Sequence, residues 1–411
     1  MGAEVMPSAY IHRLFAFAAM AIPACKDESV VVPPPVDAAF ASVSAGLLHT
    51  CGVTVTSHVY CWGWNRDGEV GDGSHSDRVY AVRVAGALTF GAVSLGGGHS
   101  CAVTTGNVPY CWGLNLTGQV GDGSTTSPAT PVGVVGGLAF ATLASGSGAT
   151  HTCAIAAADS TAHCWGWARY GQLGSRPGET CATPAAEPCS RTPLVVSGGL
   201  KFLAISSGAR HTCALAVDSV AYCWGHNDAG QLGTGTTLDT AGPVAVAGGL
   251  HFARLTLGFS HSCGLTAGGD AYCWGDNTFG QIGDTLRSQS SVPVHVVGGV
   301  MFTTLSAGSE HTCGISTGNV AWCWGQNGSS ELGVESTETC TTETGVVISC
   351  SRRPLGVTTS QSFGSISSGG HFTCALTTNG KAYCWGNNSN GQLGTGNTSG
   401  SNVPVQVANQ P

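Results

Sequence analysis

The sequence predicts an all-β protein, a single closed β-propeller of seven blades, and three observations carry that expectation. Charged residues make up 9% of the 411 and hydrophobic residues 42%. Ordinary soluble proteins carry about 25% charge, and with so little of it amphipathic helices lack a polar face. Glycine occurs 62 times, about twice its usual share, which supplies tight turns between short strands. The third observation is repetition. His49, His99, His151, His211, His261, His311 and His371 each open a block that runs on into Cys-Trp-Gly, at Trp62, Trp112, Trp165, Trp224, Trp274, Trp324 and Trp385. Blocks of about 50 to 60 residues with several short strands each are a propeller signature. Seven of them close one ring, so residues 40–411 form one domain where length alone suggests two or three.

The N-terminal segment comes first. His12 and Arg13 precede an apolar run from Leu14 to Ile22, followed by Pro23-Ala24-Cys25. A basic start, an apolar centre and a small residue before the cut define a secretory signal, so residues 1–24 read as a signal peptide. A cysteine directly after the cut resembles the lipobox of bacterial lipoproteins, which implies acylation of Cys25 and a membrane anchor. Ordinary cleavage leaving a spare thiol is the alternative. Residues 25–39, with Val30-Val31-Val32-Pro33-Pro34-Pro35, then read as a stiff tether. The expected location is the bacterial cell envelope, lipid-anchored, or the secreted fraction. No later apolar run reaches the ~18 residues of a span, so the lipid would be the sole membrane contact.

Within a repeat the elements follow in fixed order. An F-x-x-[LIV] strand, as in Phe40-Ala41-Ser42-Val43, leads into the histidine strand and then the Cys-Trp-Gly strand. A turn of the form N-x-x-G-Q-[LVI]-G follows, clearest at Asn227–Gly233, Asn277–Gly283 and Asn388–Gly394. A P-[VL]-x-V strand and a Gly-Gly turn complete the unit. The first unit has no such strand before it, and the chain ends on Val403-Pro404-Val405-Gln406-Val407. The sequence therefore predicts that Val403–Val407 pairs into the blade containing Phe40–Trp62 and shields the sheet edges there.

The 19 cysteines divide into nine pairs plus Cys25. Seven pairs share one setting: Cys51 with Cys61, Cys101 with Cys111, Cys153 with Cys164, Cys213 with Cys223, Cys263 with Cys273, Cys313 with Cys323, and Cys374 with Cys384. Two further pairs, Cys181 with Cys189 and Cys340 with Cys350, sit in insertions. Folding the second repeat at Gly106 pairs Thr104 with Val108 and sets Cys101 opposite Cys111. A non-hydrogen-bonded antiparallel pair brings Cα atoms to about 4.5 Å, within reach of a disulfide, and export favours oxidation. Zinc is the rival, since His99, Cys101 and Cys111 share a face. It lacks a C-x-x-C knuckle and a consistent fourth ligand, so one hairpin disulfide per repeat is expected, and no metal or other cofactor.

Ser206-Ser207-Gly208-Ala209-Arg210-His211-Thr212-Cys213-Ala214-Leu215 and Ala221-Tyr222-Cys223-Trp224-Gly225 resemble the regulator-of-chromosome-condensation (RCC1) repeat family, and the likeness covers about residues 40–411. The resemblance implies four-stranded blades. It implies little about activity, because the fold hosts unrelated functions. The cysteine pair is a departure from the family pattern.

Chemistry is sparse. No zinc-protease, nucleophile-elbow, P-loop or dinucleotide motif occurs, and the net charge of -8 lacks the footprint of a nucleic-acid binder. Asp72, Asp122 and Asp284 follow glycines as in calcium loops but without the full ligand pattern. The seven histidines recur at one place per repeat, so each is expected to bond backbone within its own blade rather than build a catalytic ring. The seven tryptophans are expected to pack between blades, with Trp64, Trp167 and Trp322 partly exposed. Insertions distinguish the third and sixth units. One carries Arg176, Glu179, Glu187 and Arg191, the other Glu335, Glu338, Glu343, Arg352 and Arg353. Both follow the same turn and should emerge on one face, either as plain surface loops or as a partner-binding surface. The favoured expectation is an exported, monomeric, non-enzymatic module that binds an unknown protein, without nucleic acid. Guanine-nucleotide exchange, as in the family's eukaryotic namesake, and polysaccharide hydrolysis by acids of the insertions are the alternatives.

Overall fold

Strands β1 (Phe40–Ala45), β2 (His49–Thr54), β3 (Val59–Gly63) and β4 (Arg78–Arg83) pair in that order as one antiparallel sheet, the first blade. The computed structural model describes residues 35–181, 186–342 and 344–410. The expected signal peptide, Cys25, the expected tether as far as residue 34, and Glu343 lie outside the described residues. Each later repeat builds the same sheet, giving seven blades and no helix among the described residues. The third and sixth blades gain a fifth strand from their insertions, Glu179–Cys181 and Thr339–Thr341.

The local chemistry explains the elements. Between β2 and β3 of every blade the chain reverses in a tight turn; in the second blade Asn107 takes φ 64° there, and Thr104 N–H donates to the Val108 carbonyl. That register sets Cys101 directly opposite Cys111, as the spacing predicts. The same register puts Cys51 opposite Cys61, Cys153 opposite Cys164 and Cys213 opposite Cys223. Further round the ring Cys263 faces Cys273, Cys313 faces Cys323 and Cys374 faces Cys384. All seven pairs stand at disulfide distance with Cα atoms 4.0 or 4.1 Å apart. This is somewhat closer than the ~4.5 Å of an unlinked pair, because the cross-link draws the two strands together. In the insertions Cys181 reaches Cys189 at 5.7 Å and Cys340 reaches Cys350 at 5.8 Å between Cα atoms. All nine pairs are buried.

The hydrophobic core lies between blades. Trp224 of the fourth blade, for example, packs on Cys153, Cys164 and Leu173 of the third. The seven repeat tryptophans are fully buried in this way, whereas Trp64, Trp167 and Trp322 are partly exposed. Close approach demands glycine at these seams: a Cβ on Gly121, at φ +78°, would stand 2.6 Å from Trp165 Nε1.

The ring closes differently from the expectation. Ser401–Gln406 is the fourth strand of the seventh blade itself, with Cys384 facing Val405. The first blade takes its fourth strand from its own repeat, where Val79-Tyr80-Ala81-Val82 alternates without the proline that marks the other units. No unit is short of a strand, so none is exchanged. Closure is by packing. Trp62, Phe40 and Ala81 share a core with Phe372, Leu376, Leu393 and Val407, and Trp62 Nε1 donates to the Gln392 carbonyl at 2.9 Å. Val36, expected in the tether, is buried at this seam and bonds the Asn409 carbonyl.

First strands surround a central channel. Ser44, Ser94, Ser206, Thr256, Ser306 and Ser367 line a cavity of about 190 Å³ there. Several hydroxyls tie neighbouring blades, as Ser94 Oγ does with both backbone atoms of Ser145.

Candidate binding face

Antiparallel order brings the β1–β2 turn and the β3–β4 loop of each blade to one end of the ring, here the turn face, and sends the β2–β3 hairpins to the other. An asparagine shapes each β3–β4 loop except the third. Asn227 Oδ1 accepts the Leu232 N–H, and its Nδ2 donates to the carbonyls of Thr236 and Leu238. In the third blade Ala168 stands at that place, and its N–H bonds Pro188 of the insertion instead. The aspartates compared with calcium loops serve these turns: Asp72 accepts from Arg78, Asp122 from Ser124, and Asp284 pairs with Arg287. The described residues contain no cluster of three metal-ligating side chains.

The loop's glutamine, or glutamate at Glu69 and Glu331, organises the seam. Its carbonyl receives two donors from the next blade, as Gln172 O does from Trp224 Nε1 at 3.0 Å and Thr212 Oγ1 at 2.9 Å. The same threonine accepts from His151 Nε2 at 2.8 Å. The hydroxyl proton is spent on the carbonyl, so the histidine must carry its own proton on Nε2. The expectation of backbone bonding within a blade is therefore corrected: six histidines reach a hydroxyl of the following blade. Their Nδ1 atoms have no partner. Burial pushes their pKa values down to about 3 or about 4, so they are neutral at physiological pH.

His371 does not belong to that set. In Gly370-His371-Phe372-Thr373 the histidine position is taken by Phe372, opposite Gly386, and His371 stands one place earlier, where the fourth repeat has Arg210. His371 moves out to the turn face, 3.3 Å from the buried Glu331 carboxylate and 3.1 Å from Gln326 Oε1. Burial disfavours its charge, but Glu331 and Glu310 outweigh burial and raise its pKa. Glu69 has no such partner, and burial raises its pKa to about 8.

Two positions per repeat vary freely on this face: the residue after Cys-Trp-Gly and the residue before β2. From the fifth blade to the seventh they hold Asp276, Glu310, Gln326 and His371. In the third and fourth they hold Trp167, His226 and Arg210, joined by Tyr170 and by Phe259 of the fifth. Arg210 lies over the Tyr170, Phe259 and Trp167 rings, 5.4, 5.8 and 6.0 Å from their centroids. Tyr170 also contacts His226 at 4.2 Å between centroids, and His226 is held by Asp228 and Asp239. Sequence reading flagged Trp167 but missed the cluster, whose members lie up to 92 positions apart.

The insertions do rise from the turn-face loops of the third and sixth blades, but their charges largely pair locally. Arg191 binds Glu179 through its side chain at 2.7 Å, and Glu187 meets Arg169 at 2.7 Å. Glu338 accepts from the Arg352 N–H and pairs with Arg353. Arg176 and Glu335 are exposed. Among the described residues, the acids of the two insertions form no common cluster. The pair formed by Cys340 and Cys350 instead packs on Phe279 of the fifth blade.

Comparison with known proteins agrees with this architecture. The ultraviolet-B receptor UVR8 of Arabidopsis thaliana is 28% identical over 201 residues, 49% of this chain and 32% of that protein. The probable E3 ubiquitin-protein ligase HERC4 of Homo sapiens is 33% identical over 86 residues, 21% of this chain and 8% of that protein. The matches thus span about a third or less of these relatives' own lengths. Human WBSCR16 superposes with a TM-score of 0.73 at 18% identity, covering 85% of this chain and 94% of that one. Yeast RCC1 (Prp20), in a structure bound to Kap60, gives 0.71 at 20% identity, covering 95% and 91%. The family model for the RCC1-like domain matches residues 21–359, and models of the RCC1 repeat match 365–392 and 379–411. With its seven blades, five of four strands and two of five, and that match over most of its length, the chain belongs to the RCC1-like domain family.

Proposed function

We propose that this chain is an exported, non-enzymatic propeller that binds a protein partner through its turn face. The observation that carries the reading is where repetition stops. Buried histidines, tryptophans, asparagines and cysteines recur because every blade needs them to fold. On the turn face the two free positions differ from blade to blade, with aromatic rings and arginine on one arc and carboxylates on the other. Folding does not call for that asymmetry, whereas partly exposed aromatic and arginine side chains are what protein interfaces concentrate. The yeast relative bound to Kap60 is a precedent for a protein partner on this fold. Nine buried disulfides support an oxidising location, and acylation of Cys25 would hold the propeller at a membrane.

Photo-crosslinking tests the reading. A photoreactive residue is placed at Phe259 or Trp64 on the turn face, or at Val108 or Thr56 at the hairpin end, and each protein is irradiated in envelope extract. An adduct of one discrete mass is expected from the turn-face positions alone. Equal labelling from the hairpin end, or no discrete adduct, would overturn it.

A further inference from the structure

We infer that the turn face holds a carboxylate-recognition site between the third and fourth blades, formed by the Arg210 guanidinium and the Gln172 side-chain amide. Trp167, Tyr170 and Phe259 wall it, and the partner enters it with an aspartate or glutamate side chain. The inference rests on the protein-docking reading of this face and names the partner's chemistry.

The argument comes from comparing equivalent places in the ring. The end of the loop glutamine lies at a junction between the residue after Cys-Trp-Gly in its own blade and the residue before the second strand of the next. In the fifth blade Gln281 Nε2 donates to Asp276 Oδ2 at 2.8 Å, and in the seventh Gln392 Nε2 donates to Asn387 Oδ1 at 3.1 Å. At the sixth, Glu331 faces His371 of the next blade. At the first, Glu69 Oε1 lies 3.8 Å from where a Cβ on Gly98 would stand. In the fifth and sixth blades, where both neighbours are polar, donor and acceptor are matched, and in the fourth Gln231 Nε2 donates to Asp228 Oδ1 at 3.3 Å.

Between the third and fourth blades they are not. The place of Asp276 is taken by Trp167, which offers no acceptor, and the place of His371 is taken by Arg210. Gln172 is fully buried and its Oε1 is used by the Tyr170 N–H at 3.0 Å. Among the described residues its Nε2 has no partner. The Arg210 side chain makes only ring contacts and, among the described residues, has no ion pair. The junction, where the Arg210 carbonyl and Gln172 Cα both flank Gly225, thus carries two donors and no acceptor of its own, and a buried unpaired donor is costly to leave so. The nearby carboxylates Asp228 and Asp239 are held by His226. One guanidinium fork and one amide match the plane and single charge of a carboxylate, and the partly exposed rings flank the guanidinium.

The test uses protein labelled with 15N at its tryptophans, the Trp167 indole signal being assigned with Trp167→Phe. The probe is the peptide acetyl-Ser-Glu-Gly-Asp-Ser-amide, with its Gln/Asn counterpart, inorganic phosphate and digalacturonate in parallel. The acidic peptide is expected to shift Trp167 saturably and leave the seven buried indoles in place. Arg210→Gln should weaken it about tenfold or more, the loss expected of a charge-assisted bond. Gln172→Glu keeps the oxygen that Tyr170 needs and supplies Arg210 with an internal carboxylate, so it should abolish peptide binding while raising the melting temperature. Equal shifts by the amide peptide, movement of Trp167 by phosphate or digalacturonate alone, or unchanged binding in Gln172→Glu would overturn the site. Peptide binding without turn-face crosslinks would sink the docking reading and leave the site standing. Crosslinks without peptide binding would do the reverse.

Discussion

At the scale of single residues, the six buried histidines are the most consequential groups. Each is neutral, donates from Nε2 across a seam, and has its pKa held at about 3 or about 4 by burial. Unfolded, each would titrate near 6.5. The unfolded chain thus binds more protons between those values, and stability must fall as pH drops from about 6.5 toward 4. Glu69 works the other way: raised to about 8, it costs stability as pH rises from about 4.5 to 8. His226 and His371, raised by their carboxylates, also lose their contribution as pH rises. Six groups outweigh these on the acid side. His211→Gln keeps a donor for Ser262 but removes one titrating group. Urea melts from pH 4.5 to 6.5 should show its acid limb shallower by about 1.4 kcal/mol per pH unit, and an unchanged slope would contradict the neutral, buried state.

At the scale of elements, the hairpin with its cysteine pair is the unit of stability. Replacing Cys213 and Cys223 together by alanine should cost about 2–3 kcal/mol on the chain-entropy estimate for a loop of that length. The same change at Cys181 and Cys189 should cost less, because it frees a hairpin outside the four-strand sheet; thermal melts compare the two. These hairpins were legible in the sequence because their information is local: alternation, a turn at Gly106, and cysteines equally far from it. The closing strand was not. A circular repeat has no marked beginning, and Val79-Tyr80-Ala81-Val82 lacks the proline by which the strand is recognised elsewhere. The role of His371 was hidden because Phe372 takes the repeat's histidine position while a histidine occupies the variable place just before it, which is that of Arg210 in the fourth repeat. Arg210, Trp167, Tyr170 and Phe259 meet only once the ring has formed, so nothing in their spacing foretells the cluster.

At the scale of the whole molecule, every blade is complete within its own repeat, and the first and seventh meet through side-by-side packing and hydrogen bonds without sharing a strand. The Val36 N–H lies 2.9 Å from the Asn409 carbonyl, so the two ends of the described propeller adjoin. A circular permutant opened between Gly136 and Gly137, with residues 36 and 409 joined by a short glycine linker, should fold and melt within a few degrees of the parent. Calorimetry would check this, and a large loss would show that the seam depends on an unbroken repeat order.

Six of the seven joints carry a histidine that acid can charge; the seventh, where Phe372 joins the apolar core around Trp62, carries none. Acidification therefore strains the circumference everywhere except at its clasp. In a souring environment the propeller would loosen from within while its two ends stayed fastened, leaving the segment at Val36 attached to the last part of the ring to give way.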